Sequence, residues 1–173
     1  MFPSSPVSDL TRARLKRAGL VLWALVATAL VSRLGTAIGE RYQLSLNETD
    51  SLPNWAFVID KSQKSPTRGD YYAFVAPANP YYPAGFRFTK HVVGVPGDVV
   101  TVNGRSFFIN GHYVGDAKTA DKEGRPAVPS SPGIIPAGHF FMVTPSRDSL
   151  DSRYSLIGLI ATNRLVGRAY PVM

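Results

Sequence analysis

Cysteine is absent from the 173 residues. Disulfides, thiolate nucleophiles and thiolate-bound zinc or iron–sulfur clusters are therefore excluded. Histidine is scarce, and neither His91, His112 nor His139 has a second ligand-type residue at metal spacing. With no H-E-x-x-H, Walker A loop or G-x-G-x-x-G, neither a metal nor a cofactor is expected. Gly104-Arg105-Ser106-Phe107-Phe108 lacks the second glycine of a nucleophile elbow. The net charge of +7 raises nucleic acid as a partner. Residues 1–39, however, hold five basic groups and one acid (+4), and residues 40–173 fourteen and eleven (+3), with no basic run. Nucleic-acid binding is set aside. At 45% hydrophobic the chain is too apolar for disorder, and its length fits one ordinary domain.

The charge clusters where it orients something. Arg12, Arg14, Lys16 and Arg17 precede Ala18–Ser32, fifteen residues without a charge, and Leu34–Gly39 continues apolar after Arg33. Ala18–Gly39 is long enough to cross a hydrocarbon core as a helix, with Arg33 near an end where it can snorkel. A cleaved secretory signal shares the charged start. The longer apolar run and the lack of a clean A-x-A site favour a retained anchor. The expected organisation is a cytoplasmic basic N-terminus (1–17), a transmembrane helix (18–39) in the inner membrane, in contact with its lipid, and an exported, periplasmic domain (40–173).

Beyond Arg41 no helical periodicity is evident. Short β-branched and aromatic runs recur between Gly, Pro and Asn: Trp55–Asp60, Tyr71–Ala76, Phe86–Val95, Val99–Val102, Ser106–Ile109, His112–Val114, Phe140–Thr144, Leu156–Ala161 and Arg164–Tyr170. Asn103-Gly104 and Asn110-Gly111 are hairpin signals and predict a three-stranded meander over 98–115. The fold class expected is mainly β, an antiparallel sheet or barrel-like domain. Gly94 and Gly97 are expected to serve the Val-Pro turn between them. Asp116–Ala137 carries four prolines and no periodicity, a long loop of the kind that is functional or mobile. Tyr81-Tyr82-Pro83 reads as a packed loop, with a membrane-interface role as its rival.

Two residues carry chemistry. In Phe86–Val92, alternate residues share a face, so Phe86, Phe88, Lys90 and Val92 project together and place an ammonium among apolar groups. Lys90 either snorkels to water or is buried, and burial would lower its pKa and leave an amine able to act as a base. Ser51, in Thr49-Asp50-Ser51-Leu52-Pro53, has a backbone restricted by the nearby proline, which suits a fixed nucleophile or an ordinary turn.

Four blocks in order extend these two. Ser51-Leu52-Pro53 resembles the nucleophile box of the signal (leader) peptidase family, the serine peptidases with a Ser/Lys dyad. Arg68-Gly69-Asp70-Tyr71 resembles its next box. Phe88 to Asp98, ending Gly-Val-Pro-Gly-Asp, resembles the lysine box, and Ser149-Leu150-Asp151-Ser152-Arg153-Tyr154 the last. The small size, the single anchor, the Ser-Leu-Pro form and Ala120-Asp121-x-x-Gly124-Arg125-Pro126 resemble the conjugative-transfer, TraF-type branch that processes pilin precursors. His91 stands where housekeeping members usually have Arg, and Thr144-Pro145-Ser146-Arg147 where they have Gly-Asp-Asn-Arg.

The resemblance implies a serine endopeptidase that cleaves an exported precursor, a pilin or another preprotein, with Ser51 as nucleophile and Lys90 as general base. It implies that Ser149 orients Lys90, that the Ser51 N–H and the Thr49 hydroxyl meet the oxyanion, and that Asp151 and Arg153 form a structural ion pair. Leu52, Pro53, Phe88 and Val92 are the expected substrate surface, with core packing as the rival for each. TraF-type relatives can also join a pilin's ends instead of hydrolysing the ester. Two alternatives stand beside this reading: a housekeeping signal peptidase of broad range, and a non-catalytic, membrane-anchored pilus or secretion assembly factor.

Overall fold

The computed structural model describes residues 6–47 and 52–172, with side chains described from residue 11. The chain divides into two units, residues 1–40 and 41–173. The first is built on helix α1 (Pro6–Arg41), whose Thr11–Arg41 portion is long and apolar enough to cross a membrane. Its leucines and valines from Leu15 onward, with Trp23, are exposed.

The second unit is antiparallel β throughout, as the sequence pattern implied. Its strands are β1 (Tyr42–Leu46), β2 (Ala56–Asp60), β3 (Tyr71–Val75), β4 (Arg87–Gly94), β5 (Val99–Asn103), β6 (Ser106–Ile109), β7 (His112–Asp116), β8 (Gly133–Ile134), β9 (His139–Val143), β10 (Ile160–Ala161) and β11 (Leu165–Pro171). Seven form one sheet in the order β1-β2-β11-β3-β4-β9-β10, and four form a second in the order β7-β6-β5-β8.

Two strands escaped the sequence pattern. β1 continues directly from α1, and β8 is a two-residue pairing with β5. Conversely, Leu156–Gly158 is not strand: the N–H groups of Ile157 and Gly158 both donate to the Tyr154 carbonyl, so the chain turns there. The meander forms as β5-β6-β7. Asn110 (φ 50°) and Gly111 (φ 82°) supply the paired positive angles of a type I′ turn. At the other hairpin Asn103 is still in the ladder, paired with Ser106, and Gly104 (φ 61°) opens the turn.

Packing explains the alternation in β4. Phe88, Lys90, Val92 and Gly94 are buried, while the residues between them are half-buried. Phe88 and Val92 join Tyr72, Phe74, Met142 and Ile160 in one core cluster. A second cluster, including Val100, Phe107, Ile109, Ile135 and Phe141, joins the two sheets.

Only one of the two glycines around Val95-Pro96 serves the turn. Gly97 (φ 91°) does so, whereas Gly94 lies in β4, where a Cβ would stand 2.6 Å from Ile135 Cδ1 and 2.8 Å from Phe141 Cβ. Its role is close packing. Gly94→Ala is expected to cost ~1–3 kcal/mol through overpacking, read by chemical denaturation.

Candidate active site

Lys90 projects from the middle of β4, held between β3 and β9. Its cross-strand partner is Tyr72, itself fully buried. Lys90 is 5% exposed, so the burial alternative holds and the snorkelling one does not. Nζ donates to Ser149 Oγ at 2.7 Å and lies 5.1 Å from the centroid of the Phe88 ring. Burial pushes its pKa down to about 8; Asp151 opposes that shift and Arg153 adds to it. A lysine in this state deprotonates within reach of ordinary pH.

Ser149 is buried in the loop between β9 and β10. Two residues on, Asp151 and Arg153 form a bidentate pair, with Nη2–Oδ2 at 2.7 Å and Nε–Oδ1 at 2.9 Å, both side chains out of solvent. Asp151 also accepts from the N–H of Thr144, and Arg153 donates to the Ser146 and Asp116 carbonyls. Every charge in this knot is matched by hydrogen bonds, the condition under which buried ions are tolerated. The knot fixes the turn that presents Ser149. Gly115 is part of it: a Cβ there would stand 2.7 Å from Arg153 Nη1.

A cleft of about 620 Å³ opens over Lys90. Phe86 to Lys90 and Ser149 form one side, and Ser45, Leu46 and Asn47 of the β1 edge another. Three strands lie between β1 and β4 in the sheet, and its coiling brings both to the same cleft. Arg87 Nη1 donates to Gln43 Oε1 at 2.6 Å across this gap.

Ser51 and Thr49 lie outside the described residues. The flanks of that segment are tied together, since Asn47 Nδ2 donates to the carbonyls of Leu52 and Asn54 at 3.2 and 3.1 Å.

The structure separates the four residues expected at the substrate surface. Phe88 lines the cleft. Val92 is fully buried in the core cluster of β3, β4 and β9, and Leu52 packs on Phe57, Ile59, Ala73 and Ala169. Pro53 is exposed and does not line the cleft. Alternation assigns a face to each residue of a strand, but not the stretch of that face left uncovered. The sequence reading missed Tyr82, Lys122 and Leu150, which also line the cleft. Tyr82 packs on Phe86 and Phe88, with ring centroids 4.7 and 4.9 Å apart, so the Tyr81-Tyr82-Pro83 loop is a packed one.

The second box is structural in its contacts. Arg68 forms an ion pair with Asp98 at 2.7 Å and also donates to the Val93 carbonyl. Asp98 accepts from the N–H of Val95 and from Asn110. Together these bonds fasten the Gly-Val-Pro-Gly-Asp turn at the end of the lysine strand.

The features to be matched are an apolar N-terminal helix, a two-sheet antiparallel unit and a buried lysine hydrogen-bonded to a serine beside an open cleft. The comparisons identify the chain more closely. A family model described as signal peptidase, peptidase S26, matches residues 16–173, and the chain belongs to that family. Signal peptidase I of Pseudomonas fluorescens is 33% identical over 153 residues, covering 66% of this chain and 52% of the relative. This chain thus spans about half the length of that enzyme. A probable conjugal transfer protein TraF of Sinorhizobium fredii is 30% identical over 187 residues, covering 97% of this chain and 96% of the relative. Among solved structures, a signal peptidase I from Enterococcus faecalis V583 is similar, with a TM-score of 0.41 and 24% identity over 61% of this chain and 97% of that one.

Proposed function

We propose that this chain is a membrane-anchored serine endopeptidase of signal peptidase type, and that it cleaves an exported precursor with Ser51 as nucleophile and Lys90 as general base. The observation that carries this reading is the buried Lys90–Ser149 pair, set in a cleft that is also lined by Asn47, four residues before Ser51 in the sequence.

Ser51 Oγ attacks the scissile carbonyl while neutral Lys90 takes its proton. As the tetrahedral species collapses, the C–N bond breaks and Lys90 returns the proton to the leaving amine. The Ser51 N–H and the Thr49 hydroxyl are the proposed oxyanion donors. Ser149 holds the lysine amine in place, and Asp151–Arg153 holds Ser149. The acyl ester is then resolved by water or by an amine; an amine from the same chain would close it into a ring.

In this reading residues 18–39 anchor the chain in the inner membrane, N-terminus inside, and tether the site near emerging precursors, which raises their effective concentration. A conjugative pilin precursor is the favoured substrate, supported by end-to-end similarity to a relative named for conjugal transfer.

The test uses the full chain in detergent micelles with a pilin precursor and an unrelated preprotein. Cleavage is expected to favour the pilin, to vanish in Ser51→Ala, and to rise with pH through about 8 as Lys90 loses its proton. A rate that peaks below neutrality with the fold intact would sink the lysine base. Mass spectrometry of the product separates hydrolysis from ring closure by the mass of one water.

A further inference from the structure

A smaller cavity of about 240 Å³ adjoins the Lys90 cleft and shares Tyr82, Lys122, Asp148, Ser149 and Leu150 with it. Its outer wall comes from the long 116–137 segment, where one carboxylate accepts four of the fastening hydrogen bonds. Asp121 Oδ1 accepts from the N–H groups of Glu123 and Arg125 at 2.9 and 2.8 Å. Asp121 Oδ2 accepts from Arg125 Nε at 2.6 Å and from the Tyr81 hydroxyl at 2.8 Å. The Arg125 guanidinium lies 4.7 Å from the centroid of the Tyr81 ring. This clamp accounts for the Ala120–Pro126 motif: it ties the long segment to the tyrosine loop and so holds the cavity open.

The lining has one consistent chemistry. Tyr82, Val128, Leu150 and Leu156 form apolar walls, and Val128 and Leu156 are 61% and 42% exposed with nothing over them. The surrounding charges are spent in pairs: Lys118 with Asp148, Arg147 with Asp116, and Arg125 with Asp121 and Glu123. Lys122, which lines both cavities, has no charged or hydrogen-bonding partner among the described residues. The volume falls below the ~300–1,000 Å³ of pockets that hold whole small molecules and suits a single side chain.

We propose that this side cavity is a subsite of the precursor cleft that takes a bulky apolar side chain, with Lys122 at the junction meeting an acidic residue on the same precursor segment. The proposal rests on the peptidase reading above and adds a selectivity to it. Continuity with the cleft makes the occupant part of the chain being cut, and the unpaired cation sets the sign of its neighbour.

The test is a peptide library built on a cleaved precursor sequence, each position varied among Ala, Leu, Phe, Asp and Lys, with the full chain in micelles. At one position Leu or Phe is expected to exceed Ala by at least about tenfold in kcat/KM, with Asp preferred over Lys next to it. Val128→Trp, a change at an exposed side chain outside the core, fills the cavity; it should erase the preference for Leu or Phe over Ala at that position. Lys122→Glu should reverse the acidic preference. Variants that keep the wild-type profile at both positions would overturn the proposal. Failure of the peptidase reading looks different: Ser51→Ala would cut the library as fast as the wild type.

Discussion

Lys90→Met is expected to lower precursor cleavage by about 10²–10⁴-fold, the range that a positioned general base supplies. Methionine matches the lysine stem in length and adaptability and fills the space between Phe88 and Val92 without an amine. Removing the amine also removes the cost of burying a group that prefers water, so thermal stability should hold or rise. That pairing of outcomes discriminates. A lysine that merely supported the fold would lose activity and stability together.

The folded-state pKa is depressed, so between about 8 and the ordinary lysine value the unfolded chain binds the extra proton. The Lys90 contribution to stability therefore becomes more favourable as pH rises through that window, and Lys90→Met should remove this slope. Combined with Ser51→Ala, the loss of activity should barely exceed that of either change alone, as the proposed dyad requires of two groups acting as one unit. Full additivity would separate them.

Arg153→Met is expected to cost ~3–5 kcal/mol, measured by denaturant unfolding, because it leaves Asp151 charged and unpaired in the interior. It also strands the carbonyls of Ser146 and Asp116, to which the guanidinium donates. Replacing both partners, Asp151→Leu with Arg153→Met, should cost less than Arg153→Met alone, since no isolated charge remains. Activity carries a second signature. Arg153 lowers the Lys90 pKa and Asp151 raises it, so Arg153→Met should move the pH–rate profile to higher pH and Asp151→Asn to lower pH. A purely structural knot would change amplitude and leave the midpoint alone.

Much of this was legible in residue order. Strict alternation from Phe86 to Val92 placed Lys90 on an apolar face, and β4 buries that face. The four boxes in order pointed to Ser149, 59 positions from the lysine it touches, which no local periodicity could reveal. The limits are physical as well. β1 was missed because Tyr42–Leu46 has only its pairing with β2 to make it a strand, and its outward leucines read like the tail of the helix. For Val92 the choice between substrate surface and core stays open in sequence, because a strand pattern does not say where a neighbouring sheet ends; its side chain is buried in the core. The Asp121 clamp depends on Tyr81, 40 residues earlier, so its motif had no visible purpose in sequence.

Strand β11 closes the seven-stranded sheet from within. The last strand of the chain does not lie at an edge of the seven-stranded sheet; it fills the gap between β2 and β3. Until residues 165–171 fall into place, that gap stays open. β3, which flanks the lysine strand, lacks one neighbour until then. Such late, long-range closure is slow compared with local folding. The sheet that carries Lys90 is therefore closed by a strand far along the sequence, and a chain cut before residue 165 would leave β2 and β3 without their shared neighbour.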